Sequence, residues 1–229
     1  MRNVPFRVLL GIQAREKSTR FPQKIYAPFG NSNVLETIVQ TCKKVKLEET
    51  GIECVTSILC SKYDMIDPTK TTGEIFQASC PVEDVLKRYV LAMTEYHVDA
   101  VVRITSDCPL ITSNLIERAI IHITKYSYVT NTIYRTYPDG YDIQAITDKG
   151  LNWIYEHQHN EFEHPFYELD RCYHMQRNFI NNQFSIYHLI SPITHILNPY
   201  LSFHKFSVDT EEDLVRCQKA YDERISGTR

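Results

Sequence analysis

Between Gln13 and Lys24 the chain concentrates groups that bind anions. Arg15, Lys17, Arg20 and Lys24 place four cations within ten residues, and Ser18 and Thr19 add hydroxyl donors. Guanidinium and ammonium groups match phosphate oxygens, the first as a planar fork and the second as a point charge. Polyphosphate binding is one reading. A solvated basic loop is the other, and spacing alone leaves both open. Neither a P-loop nor Gly-x-Gly-x-x-Gly is present, so neither glycine cradle is available.

Two carboxylates invite a second reading. Asp107 closely follows the apolar run Ala100-Val101-Val102-Arg103-Ile104, and Asp209 follows Phe206-Ser207-Val208. Aspartates at the carboxyl ends of two strands face the ligand crevice of an open α/β sheet. Such a pair shares a hard cation such as Mg²⁺, which takes one or two carboxylates plus phosphate oxygens. Taken alone, each Asp reads as a helix cap before it reads as a ligand, Asp209 above all. His157, His159 and His164 lie close in sequence, but i, i+2 spacing does not put two side chains on one helix face. They read as solvated or substrate-facing, not as a metal site.

These groups need a scaffold. Val8-Leu9-Leu10-Gly11-Ile12 reads as a buried central strand, and Pro22 argues against a helix through the basic loop. Asn33 or Ser32 caps a helix carrying Leu35, Ile38, Val39 and Cys42 at helical spacing. Cys54–Leu59 is a second strand, and the polar residues 61–82 read as a long loop with at most one helical turn. Glu83-Asp84 opens a helix through Met93. Asp99–Ile104 is the third strand, followed by a helix from Ser113 to Thr124 and a strand at Tyr128–Thr130. Tyr137-Pro138-Asp139-Gly140 is a turn, Tyr141–Ile146 a strand, and Asp148 or Lys149 begins a helix. Residues 157–182 read as mostly helical, Phe184–Ile190 and Leu201–Val208 as strands, and Thr210-Glu211-Glu212 as the cap of a final amphipathic helix. Strands alternating with helices predict an α/β fold with a mostly parallel central sheet flanked by helices.

Length and composition set outer bounds. At 229 residues the chain is read as a single domain over 1–229, with no repeat or linker. A formal net charge of -3 gives no global field to recruit nucleic acid. No apolar run approaches a bilayer span, and the N-terminus does not read as a signal peptide. Seven scattered cysteines without Cys-x-x-Cys fit reduced thiols in a cytoplasmic protein.

Several stretches together resemble one family. They are Ile12-Gln13-Ala14-Arg15-Glu16-Lys17-Ser18-Thr19-Arg20-Phe21-Pro22-Gln23-Lys24, Glu83-Asp84-Val85-Leu86-Lys87-Arg88-Tyr89, and Val102-Arg103-Ile104-Thr105-Ser106-Asp107-Cys108-Pro109-Leu110-Ile111. Tyr128–Thr132, Arg135–Asp142, Glu163-His164 and Val208–Leu214 complete the set. In this order they resemble bacterial cytidylyltransferases of the spore-coat-polysaccharide type, relatives of the CMP-sialic acid and CMP-3-deoxy-manno-octulosonate synthetases. The resemblance implies a Rossmann-like nucleotidyltransferase domain that uses CTP and Mg²⁺ to activate a small acidic acceptor for surface-polysaccharide or related biosynthesis. It implies catalytic roles for Arg15, Lys24, Asp107 and Asp209, with the two aspartates as metal ligands. Nucleotide contacts fall to Gln13, Ala14, Arg15, Ser18, Arg20, Lys24, Arg103 and Ser106. Acceptor contacts fall to Asn131, Arg135, Tyr137, Asp139, Asp142 and His164, with Arg103 beside them. It also implies a homodimer built partly from a helical region at 150–190.

This chain departs from the family pattern at four positions. Lys17, Gln23 and Ser106 replace family glycines, and Gln144 stands where relatives carry Glu. The loop substitutions motivate an alternative, a nucleotide-binding relative without turnover. A nucleotide-sugar glycosyltransferase is the other alternative, but the Asp-x-Asp triplet common in that class is absent.

Overall fold

In the computed structural model, residues 5–48, 50–157, 164–166, 169, 185–192 and 205–227 are described. Nine strands appear among them: β1 (Phe6–Gln13), β2 (Pro28–Phe29), β3 (Ser32–Asn33), β4 (Ile52–Ser61), β5 (Ile75–Ala78), β6 (Ala100–Thr105), β7 (Tyr128–Thr130), β8 (Gln144–Thr147) and β9 (Ile186–His188). Five α-helices accompany them: α1 (Val34–Lys43), α2 (Val85–Tyr96), α3 (Ser113–Ile123), α4 (Asp148–His157) and α5 (Glu211–Ser226). Seven strands form one sheet in the order β5-β4-β1-β6-β8-β7-β9, and β2-β3 is a small separate ribbon. All the strand pairs of the large sheet are parallel except the two made by β8.

The alternation of β1 explains the layering. Val8, Leu10 and Ile12 join one core with Leu35, Ile38 and Val39 of α1 and Leu115, Ile116 and Ile120 of α3. Leu9 faces the other way, into a second core with Val85, Leu86 and Tyr89 of α2 and Leu151 and Ile154 of α4. Each of these side chains is almost or wholly removed from water, which contributes about 1.5–3 kcal/mol apiece before entropy is counted. A central strand buried on both faces is why the run Val8–Ile12 is unbroken by polar residues.

Helix starts follow the sequence closely. Asn33 caps α1 by accepting from the Glu36 amide, Asp84 caps α2 from the Lys87 amide, and Thr112 caps α3 from the Leu115 amide. Thr210 and Asp213 form a reciprocal capping box on α5.

Three expectations need correction. The polar stretch 61–82 contains a strand, β5, which pairs with β4 at the sheet edge. The strand expected at Tyr141–Ile146 begins only at Gln144 and extends to Thr147. Of the strand expected at Leu201–Val208, residues 201–204 lie outside the described residues, and the described remainder makes only an isolated bridge, between Lys205 and Asp139. Its amides are used elsewhere, Phe206 donating to the Asp139 carbonyl at 2.6 Å and Val208 to the Asp107 carbonyl at 2.8 Å. Most of 157–182 lies outside the described residues, as does much of the region expected to mediate dimerisation.

Candidate functional site

The parallel strands β1, β4 and β6 are in register, so Gln13, Leu59 and Thr105 lie side by side at one edge. A cleft of about 730 Å³ opens outside their carboxyl ends, where an open α/β sheet binds ligands. The basic loop leaves β1 along its rim. Gln13, Ala14, Arg15, Arg20, Lys24, Arg103, Ser106, Asp107, Arg135, Asp139, Asp142, His164 and Asp209 all line it.

The two aspartates meet on one nitrogen. The Lys24 Nζ donates to Asp107 Oδ2 at 2.8 Å and to Asp209 Oδ1 at 3.0 Å, and its side chain is only 6% exposed. Asp209 carries two further cations, Arg20 at 2.9 Å on the same oxygen and Lys205 at 2.9 Å on the other. Neither aspartate caps a helix: Thr210 caps α5 and Thr112 caps α3. Val208 donates to the Asp107 backbone carbonyl, so one backbone bond brings together two residues 101 positions apart.

Local charges tune these groups. Burial pushes the Asp209 carboxyl up, but the hydrogen bonds and charges of Lys205 and Lys24 outweigh it and hold it at about 2. Burial pushes the Lys24 ammonium down, yet the Asp107 and Asp209 carboxylates more than restore it, leaving it above its ordinary value. Cys108 beside them is driven well up by burial and by the Asp107 charge, which favours the neutral thiol.

A polar row crosses the cleft floor. Arg103, only 4% exposed, donates from Nε to Gln13 Oε1 at 2.9 Å and from Nη1 to Gln144 Oε1 at 3.0 Å. Both partners are neutral amides, and no carboxylate among the described residues forms an ion pair with it. On the far wall Arg135 grips Asp142 with two 3.0 Å bonds. Burial, and next the Asp142 charge, raise the Asp139 carboxyl above its usual range.

Three residues expected at the site stand outside the cleft lining. Ser18 is not among the lining residues. Asn131 is buried, its amide clamping the chain by donating to the Tyr141 carbonyl and accepting from the Ile143 amide. The Tyr137 hydroxyl accepts from Arg118. Of the positions with lost glycines, only Gln23 adopts the left-handed conformation, with φ 55°, while its side chain donates to Glu16 at 3.0 Å. The backbone shape that glycine would supply is thus retained there at a cost of order 1 kcal/mol.

Sequence reasoning passed over Val82, Glu83, Val85, Arg88, Thr105, Cys108 and Ser207, which also line the cleft. Arg88 is the informative omission. It is 2% exposed and donates to the carbonyls of Ala14 and Leu59 at 3.4 Å and of Val82 at 2.7 Å, tying the ends of β1 and β4 to the loop before α2. Its signal was in the sequence: Val85, Arg88 and Ala92 fall on one helical stripe, and a cation inside an apolar stripe needs buried acceptors.

Comparison with known proteins agrees with this geometry. A solved cytidylyltransferase from Leptospira borgpetersenii superposes with a TM-score of 0.71 at 24% identity, covering 92% of this chain and 84% of that one. A CMP:2-keto-3-deoxy-manno-octonic acid synthetase solved in complex with CTP superposes with a TM-score of 0.61 at 14% identity, covering 95% and 99%. At these identities the likeness speaks to the fold. An uncharacterized protein of Methanocaldococcus jannaschii is 30% identical over 118 residues, covering 51% of this chain, which spans about half of that relative's length (47%). The model of a family described as cytidylyltransferase matches residues 11–219, nearly the whole chain, and on that match the chain belongs to the cytidylyltransferase family.

Proposed function

We propose that this protein transfers CMP from CTP to a small acidic acceptor. An acceptor oxygen bonds to the α-phosphorus, the bond to the β-phosphate oxygen breaks, and pyrophosphate leaves. The observation that carries this reading is the convergence of the basic loop, Lys24 and the Asp107–Asp209 pair on one cleft at the carboxyl edge of the sheet. Such a reaction asks the protein mainly for positioning and charge neutralisation, and these groups are suited to both.

The two carboxylates suit a hard cation, since both reach a single nitrogen within 3.0 Å. Asp107 and Asp209 would hold Mg²⁺, which when bound supplies charge neutralisation at phosphate oxygens. Arg15, Arg20 and Lys24 would hold the triphosphate, and Gln13 and Ser106 at the strand ends would orient the nucleoside.

The acidic acceptor is inferred from Arg103. A buried guanidinium held, among the described residues, by two amides and no carboxylate is incomplete without an anion. A Glu at position 144 would fill that need from within; Gln144 leaves it to the ligand. A carboxylate of a sugar acid, or a phosphate or phosphonate group, fits this chemistry, and an acceptor that is already an oxyanion needs no general base. Activation for surface-polysaccharide or related synthesis, a cytoplasmic site and a homodimer using residues 150–190 belong to the same proposal. Among the described residues, no helix is long and apolar enough to cross a membrane. The test is pyrophosphate release from CTP across a panel of sugar acids, phosphates, phosphonates and their neutral analogues. Release confined to anionic acceptors is the expected result; equal release with the neutral analogues would remove the acidic-acceptor reading.

A further inference from the structure

Lys24 occupies the very point at which Asp107 and Asp209 converge. Its ammonium nitrogen is hydrogen-bonded to both carboxylates, at 2.8 and 3.0 Å, and its side chain is almost wholly enclosed. Arg20 and Lys205 also neutralise Asp209, but neither has an ion pair with Asp107. Among the described residues, Lys24 alone bridges the pair.

We propose that Lys24 is a resident counter-ion of this carboxylate pair, and that a divalent cation must displace it to bind both aspartates. The inference rests on the assignment of the metal to Asp107 and Asp209. The reasoning is steric and electrostatic. A cation coordinated by both carboxylates would stand about 2.1 Å from each oxygen, in the space the ammonium fills. Two positive charges cannot share that space, and the opposing Coulomb energy at hydrogen-bond distance is large where water is scarce. An ammonium that leaves the pair needs another anion, and the triphosphate proposed for the same cleft is one. The arrangement therefore makes metal binding weak before nucleotide arrives and strong with it. It also keeps two adjacent carboxylates from repelling each other while the cleft is empty.

The test is Mn²⁺ binding without nucleotide, followed by the electron paramagnetic resonance signal of the free ion. Lys24→Met keeps the length of the side chain and removes its charge. Lys24→Gln is a second variant in case methionine disturbs folding, which thermal melts check. Both should bind one Mn²⁺ at least about tenfold more tightly than the unaltered protein, the consequence of removing a full charge beside both ligands. Arg20→Met, which removes a cation from Asp209 alone, should change the affinity by less than about threefold. Adding Asp107→Asn to Lys24→Met should abolish the gain. Folded Lys24 variants that bind Mn²⁺ no more tightly would overturn the inference. So would an Arg20→Met variant that gains as much, because the effect would then be general charge and not position. If Asp107→Asn leaves Mn²⁺ binding unchanged in every background, the metal assignment falls and this inference with it. CTP-dependent pyrophosphate release, measured separately, tells that failure apart from failure of the transferase reading.

Discussion

Replacing Gly140 by alanine tests how the far wall of the cleft holds Asp209 in place. Gly140 has φ +96°, and a Cβ built on it would lie 2.3 Å from the Phe206 carbonyl carbon, 2.5 Å from its oxygen and 2.6 Å from the Ser207 nitrogen. Ordinary contact begins near 3.4 Å, so the backbone at 206–207 must retreat by about 1 Å. All three atoms are backbone, which cannot swing aside as a side-chain end can. The backbone conformation alone costs roughly 1–3 kcal/mol, and overpacking adds a similar amount. A total near 3 kcal/mol lowers the melting temperature of a chain this size by about 6–12 °C. The segment that must move carries Val208, which binds the Asp107 carbonyl, and leads into Asp209. Misplacement by about 1 Å in a catalytic group costs on the order of a hundredfold in rate. Gly227 is the control: its φ is +67°, but nothing lies within 4 Å of the added Cβ, so only the conformational cost of about 1 kcal/mol applies. Thermal melts and steady-state pyrophosphate release on both variants make the comparison. A Gly140→Ala protein that melts and turns over like the original would refute the claim that this contact positions Asp209.

Acid stability offers a second check. Asp209 sits near 2 in the folded chain, below its ordinary 3.8, so its ion pairs stabilise the fold above about pH 4 and that contribution disappears as pH falls through 2. About 2 kcal/mol of stability is at stake; Asp209→Asn should flatten the acid limb of a melting-temperature profile, and an unchanged limb would contradict the pairing. Nucleotide choice gives a third. CTP at a hundred times its dissociation constant should raise the melting temperature by about 5–11 °C, and ATP, GTP or UTP at equal concentration by much less. Equal shifts with all four would mean that the base is not read. Arg15→Ala should appear chiefly as a raised KM for CTP, because a triphosphate contact acts in the ground state as well as during reaction. A variant whose loss is confined to kcat would assign Arg15 to the transition state instead.

Much of this site was legible because local rules and tertiary needs agreed. The apolar run of β1, the basic loop after it, and the Asn33, Asp84 and Thr210 caps stand where local chemistry put them. What was not legible depended on distant partners. β5 is a four-residue edge strand, half of it only partly buried, so it needs little apolar pattern and hides within a polar stretch. Residues 205–208 show the opposite failure. Phe206 and Val208 are buried as alternation implies, but their amides go to Asp139 and Asp107 and not to a ladder. Periodicity reports burial and is silent on which carbonyl each amide will meet. The same blindness hid the link between Asp107 and Asp209 through Lys24, which no spacing in the chain encodes.

The most direct test of the account is the turnover of Asp107→Asn. The change keeps the size of the side chain and removes the charge that faces Lys24. Circular dichroism should show a folded protein, because Asp107 caps no helix and its backbone carbonyl still accepts from Val208. Steady-state release of pyrophosphate from CTP should fall at least about a hundredfold in kcat/KM, or about 2.7 kcal/mol, the scale seen when one electrostatic stabiliser is removed. A folded Asp107→Asn protein with near-normal turnover would contradict the account, since the carboxylate pair would then have no part in the transfer.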